Sequence, residues 1–420
     1  MATIEDKIAS KGLKILLKET VENAELRALY GSDEQVWAAI AHALDTAVDK
    51  ASLYKFITNI AACDKAGTLA CQSGVVAKLV LQAKTYSSPQ LWKALSNLNQ
   101  TSPDDLAGVD IDYGKALSLA TMPTLRLIEA NVRKFPESSV VYANNGVLMA
   151  LLSQVNDWYE SNEVAFQIVT RIFIYIIEAR FAPTVMDDIV SIQMMARSVA
   201  LQKVLDAALS ICYKRISEPV AYDLSMALAK YTKHICRATL PYFSSTHSRK
   251  TLEAISWWTW LISNVESLTL IAMAAREDLG EKNFGLVQAL VDVLIAAKQL
   301  PQHNKLGKGD HELAPSDFPM IKTTIIPLLS ILVAQNEWAQ TYCRTSGGLL
   351  AILEACTVDE NNPFVREKAI VCVRYLLQDN QENQDFVAKL EAKKVVNPEI
   401  LERAGYEAEI KDGNISVKTK

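Results

Sequence analysis

Glycine and proline are scarce in this chain: 420 residues carry only 15 of one and 13 of the other. Barrels and sandwiches need a turn signal about every 8–12 residues, so the shortage excludes them and favours an all-helical protein. Paired cysteine motifs are missing too. The seven cysteines (Cys63, Cys71, Cys212, Cys236, Cys343, Cys356 and Cys372) form no CxxC, and most sit in apolar helical patterns where a free thiol acts as a small hydrophobe. The opening MATIEDKIASKG holds no apolar signal core, so the expectation is a soluble protein of a reducing compartment. No apolar run has the length and purity of a membrane span. The uncharged Thr323–Asn336 is too short and contains Pro327, Val164–Ala182 carries Arg171 and Glu178, and Ile255–Ala275 carries Glu266. An excess of basic charge is also lacking. The net charge is −5 with Lys and Arg scattered, which argues against nucleic acid or an acidic membrane as the main partner.

Catalytic and ligand-binding patterns are absent as well. The histidines are His42, His234, His247, His303 and His311. His311-Glu312 begins like a zinc-protease helix, but Ala314 and Pro315 follow, so the second histidine is missing and the proline blocks the helix. His303 and His311 share a turn-rich stretch with Asp310 and Glu312 and read as loop histidines. Gly307-Lys308-Gly309-Asp310 lacks the spacing and the following hydroxyl of a phosphate-cradling loop. Neither GxSxG nor GxGxxG occurs. Asp104-Asp105 and Asp187-Asp188 are adjacent, so their carboxylates diverge, as on solvated faces. The sequence offers no catalytic residue, no metal site and no cofactor site. An enzyme would need a site assembled from distant segments.

What the chain has is half its residues hydrophobic, arranged in helical stripes separated by short polar joints. The stretch from Gly347 to Leu390 is the clearest. Gly347-Gly348 opens a helix carrying Leu349, Leu350, Leu353 and Cys356. Asn362 is then expected to cap the next helix, with Pro363 in its first turn. That helix carries Ala369, Ile370, Val373, Leu376 and Leu377 as its apolar stripe, with Arg366, Lys368, Arg374 and Gln378 towards the other side. Asp379-Asn380 ends it, and Phe386, Val387 and Leu390 mark a third helix. Three helices in about 40 residues match an armadillo-type unit, which must stack on neighbours to bury its stripe. Glycine-led starts recur at Ser73-Gly74-Val75, Asn145-Gly146-Val147 and Phe284-Gly285-Leu286. A single core rarely grows to this size, so the fold expected is an armadillo/HEAT-like α-solenoid superhelix.

Composition divides the chain as follows. Residues 1–300 read as an N-terminal helical array and 301–319, with three prolines and two glycines, as a loop or linker. Residues 320–406 read as a C-terminal unit and 407–420 as a mobile tail. Within Trp257-Trp258-Thr259-Trp260, Trp257 and Trp260 share a face that suits core packing. Asn264 falls four residues after Trp260 on the same face. This resembles the Trp–Asn ladder with which importin-type armadillo proteins hold an extended basic peptide. A ladder needs the pair in successive repeats, whereas Trp92 has its Asn displaced to Asn97. Trp260 and Asn264 are the candidates for such a site.

Asn361-Asn362-Pro363-Phe364-Val365-Arg366-Glu367, Ala369-Ile370-Val371, Val373-Arg374 and the trailing Asp379-Asn380-Gln381-Glu382-Asn383-Gln384 resemble the C-terminal domain of the ataxin-10 family over roughly residues 311–400. Lys368 stands where the family pattern has an aromatic and Tyr375 where it has Asn, which marks a divergent member. A fungal branch carries a copper-transport label, but no Met- or Cys-rich cluster here supports copper handling. The resemblance implies a non-enzymatic cytoplasmic scaffold that binds other proteins and can self-associate, linked to cytokinesis and signalling. A glycosyltransferase and a G-protein β subunit are among the partners it implies. Arg366 and Arg374 are the further candidates for partner contact.

Overall fold

The computed structural model describes residues 7–8, 12–85, 88–104, 106–108, 111–190, 195–244, 251–275, 279, 283–300, 318–357, 359, 362–395, 406–411 and 414–419. They fall into two compact units, Met1–Val220 and Ala221–Lys420, each a stack of α-helices, the second also holding a β-hairpin.

The first unit contains α1 (Gly12–Glu22), α2 (Ala24–Gly31), α3 (Glu34–Thr46), α4 (Lys50–Ile60), α5 (Ala66–Gln72), α6 (Val75–Thr85), α7 (Pro89–Asn99), α8 (Tyr113–Leu119), α9 (Thr121–Lys134), α10 (Ser138–Asn144), α11 (Val147–Ser161), α12 (Glu163–Glu178), α13 (Ala182–Ile189) and α14 (Met195–Cys212). Short polar residues set the starts. Asn23, Asp33, Asp49 and Asp112 each accept a bond from a first-turn amide, and Ser88 does so ahead of Pro89. In α12 the buried residues Ala165, Ile168, Val169, Ile172, Phe173 and Ile176 repeat at helical spacing. Its other face carries Arg171 and Glu178 in the open. One layer runs α1–α4–α7–α9–α12–α14, each packed on the next.

The second unit contains α15 (Glu218–Thr239), most of which lies past the division, α16 (Leu252–Ala272), α17 (Phe284–Ala296), α18 (Ile321–Val333), α19 (Glu337–Thr345), α20 (Gly348–Glu354), α21 (Val365–Leu377) and α22 (Gln381–Val395). Here the repeat is explicit. α18 packs on α21, α17 on α20 and α19 on α22, so each helix meets its counterpart one unit further along. Side-chain bonds carry the same period: Asn380 Nδ2 donates to Gln340 Oε1 across 40 residues, and Arg344 Nε to Asn383 Oδ1 across 39. In the first unit Asn59 reaches Thr20, and Asn97 reaches Thr58 O, each across 39. Each repeat thus buries its stripe and spends its polar groups on the next one.

The glycine pair at the α19–α20 joint has two separate reasons. Gly347 has φ +88°, a left-handed conformation that glycine adopts freely. Gly348 lies so close to its neighbours that an added Cβ would stand 2.9 Å from Val291 Cγ1. Gly285, expected to lead its helix as Gly146 does, is instead the second residue of α17 with Asn283 before it.

Two boundaries differ from those read off composition. The compact units divide at Val220, not at 301–319, because α17 packs on α18 and α20, joining both sides of that stretch into one body. Residues 301–317 themselves lie outside the described residues, as do the expected loop histidines His303 and His311. The expected tail holds an antiparallel hairpin of β1 (Tyr406–Lys411) and β2 (Asn414–Thr419). Lys411 pairs with Asn414, leaving Asp412-Gly413 between them, a dipeptide that favours two-residue hairpins, between strands carrying Ile410, Ile415 and Val417.

Candidate partner-binding surface

The turn from α20 into α21 ties two repeats together. Asn362, expected to cap its own helix, does something else. α21 begins at Val365, preceded by Phe364 in a left-handed conformation (φ 61°), and Asn362 Oδ1 accepts from the amides of Lys322 (2.8 Å) and Thr323 (3.4 Å) in α18. The cause lies in α18. Its preceding residue Met320 is also left-handed and supplies no side-chain cap, so the first amides of α18 need an acceptor from elsewhere. Asn362 Nδ2 in turn donates to Asp359 Oδ2 at 3.0 Å, and Lys322 Nζ pairs with the same oxygen at 2.9 Å. Pro363 O accepts from Thr323 Oγ1 at 3.1 Å. Lys368, at the position where the family pattern has an aromatic, also has a role. Pro327 inside α18 cannot donate to Thr323 O four residues earlier, and Lys368 Nζ donates to that carbonyl instead at 3.0 Å.

α21 is rotated relative to the stripe read from sequence. Its buried residues are Val365, Ala369, Cys372 and Leu376. Ile370 is 51% exposed and Val371 49%, while Val373 and Leu377 are only half-buried. Two stripes were open to this helix and they share Ala369 and Leu376. The small Ala369 and Cys372 face inward, which lets α18 and α21 approach closely, and the larger β-branched pair is left outside. Arg366 and Arg374 lie on the exposed side, as expected. Phe364, 74% exposed, adds a third apolar side chain at the head of the helix. Beside Val371 runs a groove of about 390 Å³ lined by Met273, Pro327, Ile331 and Tyr375, with Glu367 and Lys368 at its edge.

Trp260 and Asn264 form no such surface. Trp260 is 2% exposed and Asn264 1%. Asn264 Oδ1 accepts from Thr232 Oγ1 of α15, and Trp260 stacks on Trp257 with ring centroids 5.5 Å apart. Trp257 and Trp260, which share a face by their spacing, both turn inward as core packing required, 5% and 2% exposed. Trp258, half-buried, donates its indole N–H to Pro319 O at 3.2 Å.

The first unit has a larger groove that sequence reading missed. It measures about 680 Å³ and is lined by Phe166, Ile174, Tyr175 and Ile211 with Arg171 and Arg215. Both arginines are matched by acids, Arg171 with Glu129 at 2.6 Å and Arg215 with Glu178 at 3.1 Å. The first pair spans 42 residues, which is why no local motif announces it.

Among the described residues the most strongly perturbed titratable groups are thiols. Burial pushes Cys71 and Cys212 up to about 11 and Cys372 up to about 12, and it raises Cys236 and Cys343 as well. A thiol kept protonated is a poor nucleophile and a poor ligand. Burial also raises Asp292, with Arg237 opposing it. Among the described residues no three His, Cys, Asp or Glu side chains converge as a metal site, and no helix is long and apolar enough to cross a membrane.

Residues 321–418 match the family model described as the spinocerebellar ataxia type 10 protein domain. An ataxin-10 homolog from Candida glabrata is 45% identical over 109 residues, covering 26% of this chain and 21% of that protein. One from Candida albicans is 48% identical over 103 residues, covering 24% and 22%. Human ataxin-10 is 31% identical over 144 residues, covering 32% and 30%. The chain thus spans a fifth to a third of the length of these relatives. The matched region contains the Asn362 clasp, the exposed side of α21 and the hairpin. Over this C-terminal region the chain is similar to the ataxin-10 family.

Proposed function

We propose that this protein is a non-enzymatic interaction scaffold of the ataxin-10 type, acting in the cytoplasm in cell division and signalling and able to self-associate. Its docking surface is the exposed side of α21 together with the adjoining groove. One observation carries the reading: Ile370 and Val371 lie half in solvent between two exposed arginines, Arg366 and Arg374, beside an apolar groove. A core position would not leave two β-branched residues in water, and a purely solvated face would not carry them side by side. Arginine flanking an apolar strip suits an amphipathic helix with acidic edges. Nothing similar supports a lysine-rich peptide, since Trp260 and Asn264 are enclosed.

The test is titration of the full chain with a labelled amphipathic helical peptide bearing leucines on one face and glutamates beside them. The wild-type chain should bind and Val371→Asp should not. The affinity should weaken with salt, and a peptide with lysines in place of the glutamates should fail. Equal binding by both chains would retire the surface. A dimer that dissociates in Val371→Asp would instead make a second copy the occupant.

A further inference from the structure

We propose that Thr357 is a phosphate acceptor for an acid-directed serine/threonine kinase and that Lys298 and Lys322 hold the phosphate. Thr357 stands exposed just past the end of α20, its Oγ1 donating to Glu354 O at 2.8 Å. In the sequence Thr357-Val358-Asp359-Glu360 the second and third positions after the hydroxyl are carboxylates, the charge pattern that a kinase with a basic substrate cleft selects. Thr357 lines a cavity of about 150 Å³ with Lys298, Lys322, Glu354 and Asp359. Each ammonium there faces a carboxylate, Lys298 with Glu354 at 2.8 Å and Lys322 with Asp359 at 2.9 Å.

In the transfer, Thr357 Oγ1 gives its proton to the catalytic base of the kinase and bonds to the γ-phosphorus of ATP. The bond from that phosphorus to the bridging oxygen breaks, and ADP leaves with the electron pair. The new group brings about −1.5 to −2 charge and three acceptor oxygens, against one charge on each carboxylate, so it competes for both lysines. The consequence reaches the clasp. Asp359 Oδ2 holds Lys322 and Asn362 together, so drawing Lys322 towards the phosphate loosens the seat of Asn362 on the start of α18.

The experiment incubates the full chain with an acid-directed kinase and Mg-ATP and maps the product by mass spectrometry. Thr357 should be modified, and Thr357→Val should lose that phosphate alone. A phosphorus NMR titration then compares the modified chain with a free phosphopeptide of the same sequence. The phosphate in the chain should lose its second proton about 1 pH unit lower than in the peptide. Lys298→Gln, which alters a lysine whose side chain is already 34% exposed, should bring it back towards the peptide value. No phosphate at Thr357 overturns the proposal. So does a titration equal to that of the peptide, or one that Lys298→Gln leaves unmoved.

Discussion

Helices α16 and α21 belong to the same layer of the second unit, on either side of α18, yet they use their apolar residues in opposite ways. α16 carries a tryptophan–asparagine spacing that looks like a binding ladder and encloses both residues. α21 carries Ile370, which its spacing placed in the core, and exposes it together with the adjoining Val371. Side-chain character does not set the facing. The neighbours do: α16 hands Asn264 to Thr232 of α15, while α21 offers α18 its smallest residues, Ala369 and Cys372. A helix that meets its neighbour through small residues leaves its larger apolar ones for another surface.

The contrast is most easily broken at its two extremes. Trp260→Ala should cost about 3–5 kcal/mol, because a large enclosed side chain leaves a cavity. Ile370→Ala should stay within about 0.5 kcal/mol, as surface substitutions do. Urea unfolding of the two variants measures both, and a larger loss for Ile370→Ala would reverse the assignment of faces. Adjacent leucines give the same test within one helix. Leu376 is fully enclosed, so Leu376→Ala should cost about 2–5 kcal/mol. Half-buried Leu377 should cost clearly less when truncated. Equal losses would mean that α21 sits between the two stripes rather than on the one observed.

A smaller effect is expected at the clasp. Asn362→Ala removes the acceptor of two α18 amides and a donor to Asp359, which should cost about 1–3 kcal/mol. Hydrogen exchange at Lys322 and Thr323 locates the loss, since their amides should exchange faster while the middle of α21 is unchanged. Had Asn362 capped its own helix, the faster exchange would appear at the start of α21 instead.

The solenoid was legible in the sequence because scarce turn residues and helical stripes are local properties that the fold leaves intact. The Gly347-Gly348 joint and the exposure of Arg366 and Arg374 were legible for the same reason. What escaped was non-local. The target of Asn362 lies 40 residues back, and the need it meets comes from the left-handed Met320, a conformation that nothing in the identity of methionine suggests. The facing of α21 escaped because its two candidate stripes differ only by a small rotation. The hairpin escaped because a charged, apolar-poor tail hid a period-two pattern around Asp412-Gly413.

The gentlest way to sharpen the comparison uses alkali. The buried face of α21 holds Cys372, whereas α16 has no cysteine. Burial pushes the Cys372 thiol up to about 12, with the Ser330 hydroxyl pulling the other way, while an unfolded thiol ionises near 9.0. The folded state therefore binds the proton more tightly. That contribution is constant below about pH 8.5 and drains away as pH rises from 9 towards 12, because the unfolded chain loses its proton first. Cys343 and Cys236, also raised by burial, act in the same direction. Cys372→Ala should flatten this alkaline decline in part. Trp260→Ala should lower stability equally at pH 7 and pH 10, since no titrating thiol sits on its helix. If both variants kept the wild-type slope, Cys372 would be reaching solvent, and the inward face of α21 would have to be redrawn around the side that bears Ile370 and Val371.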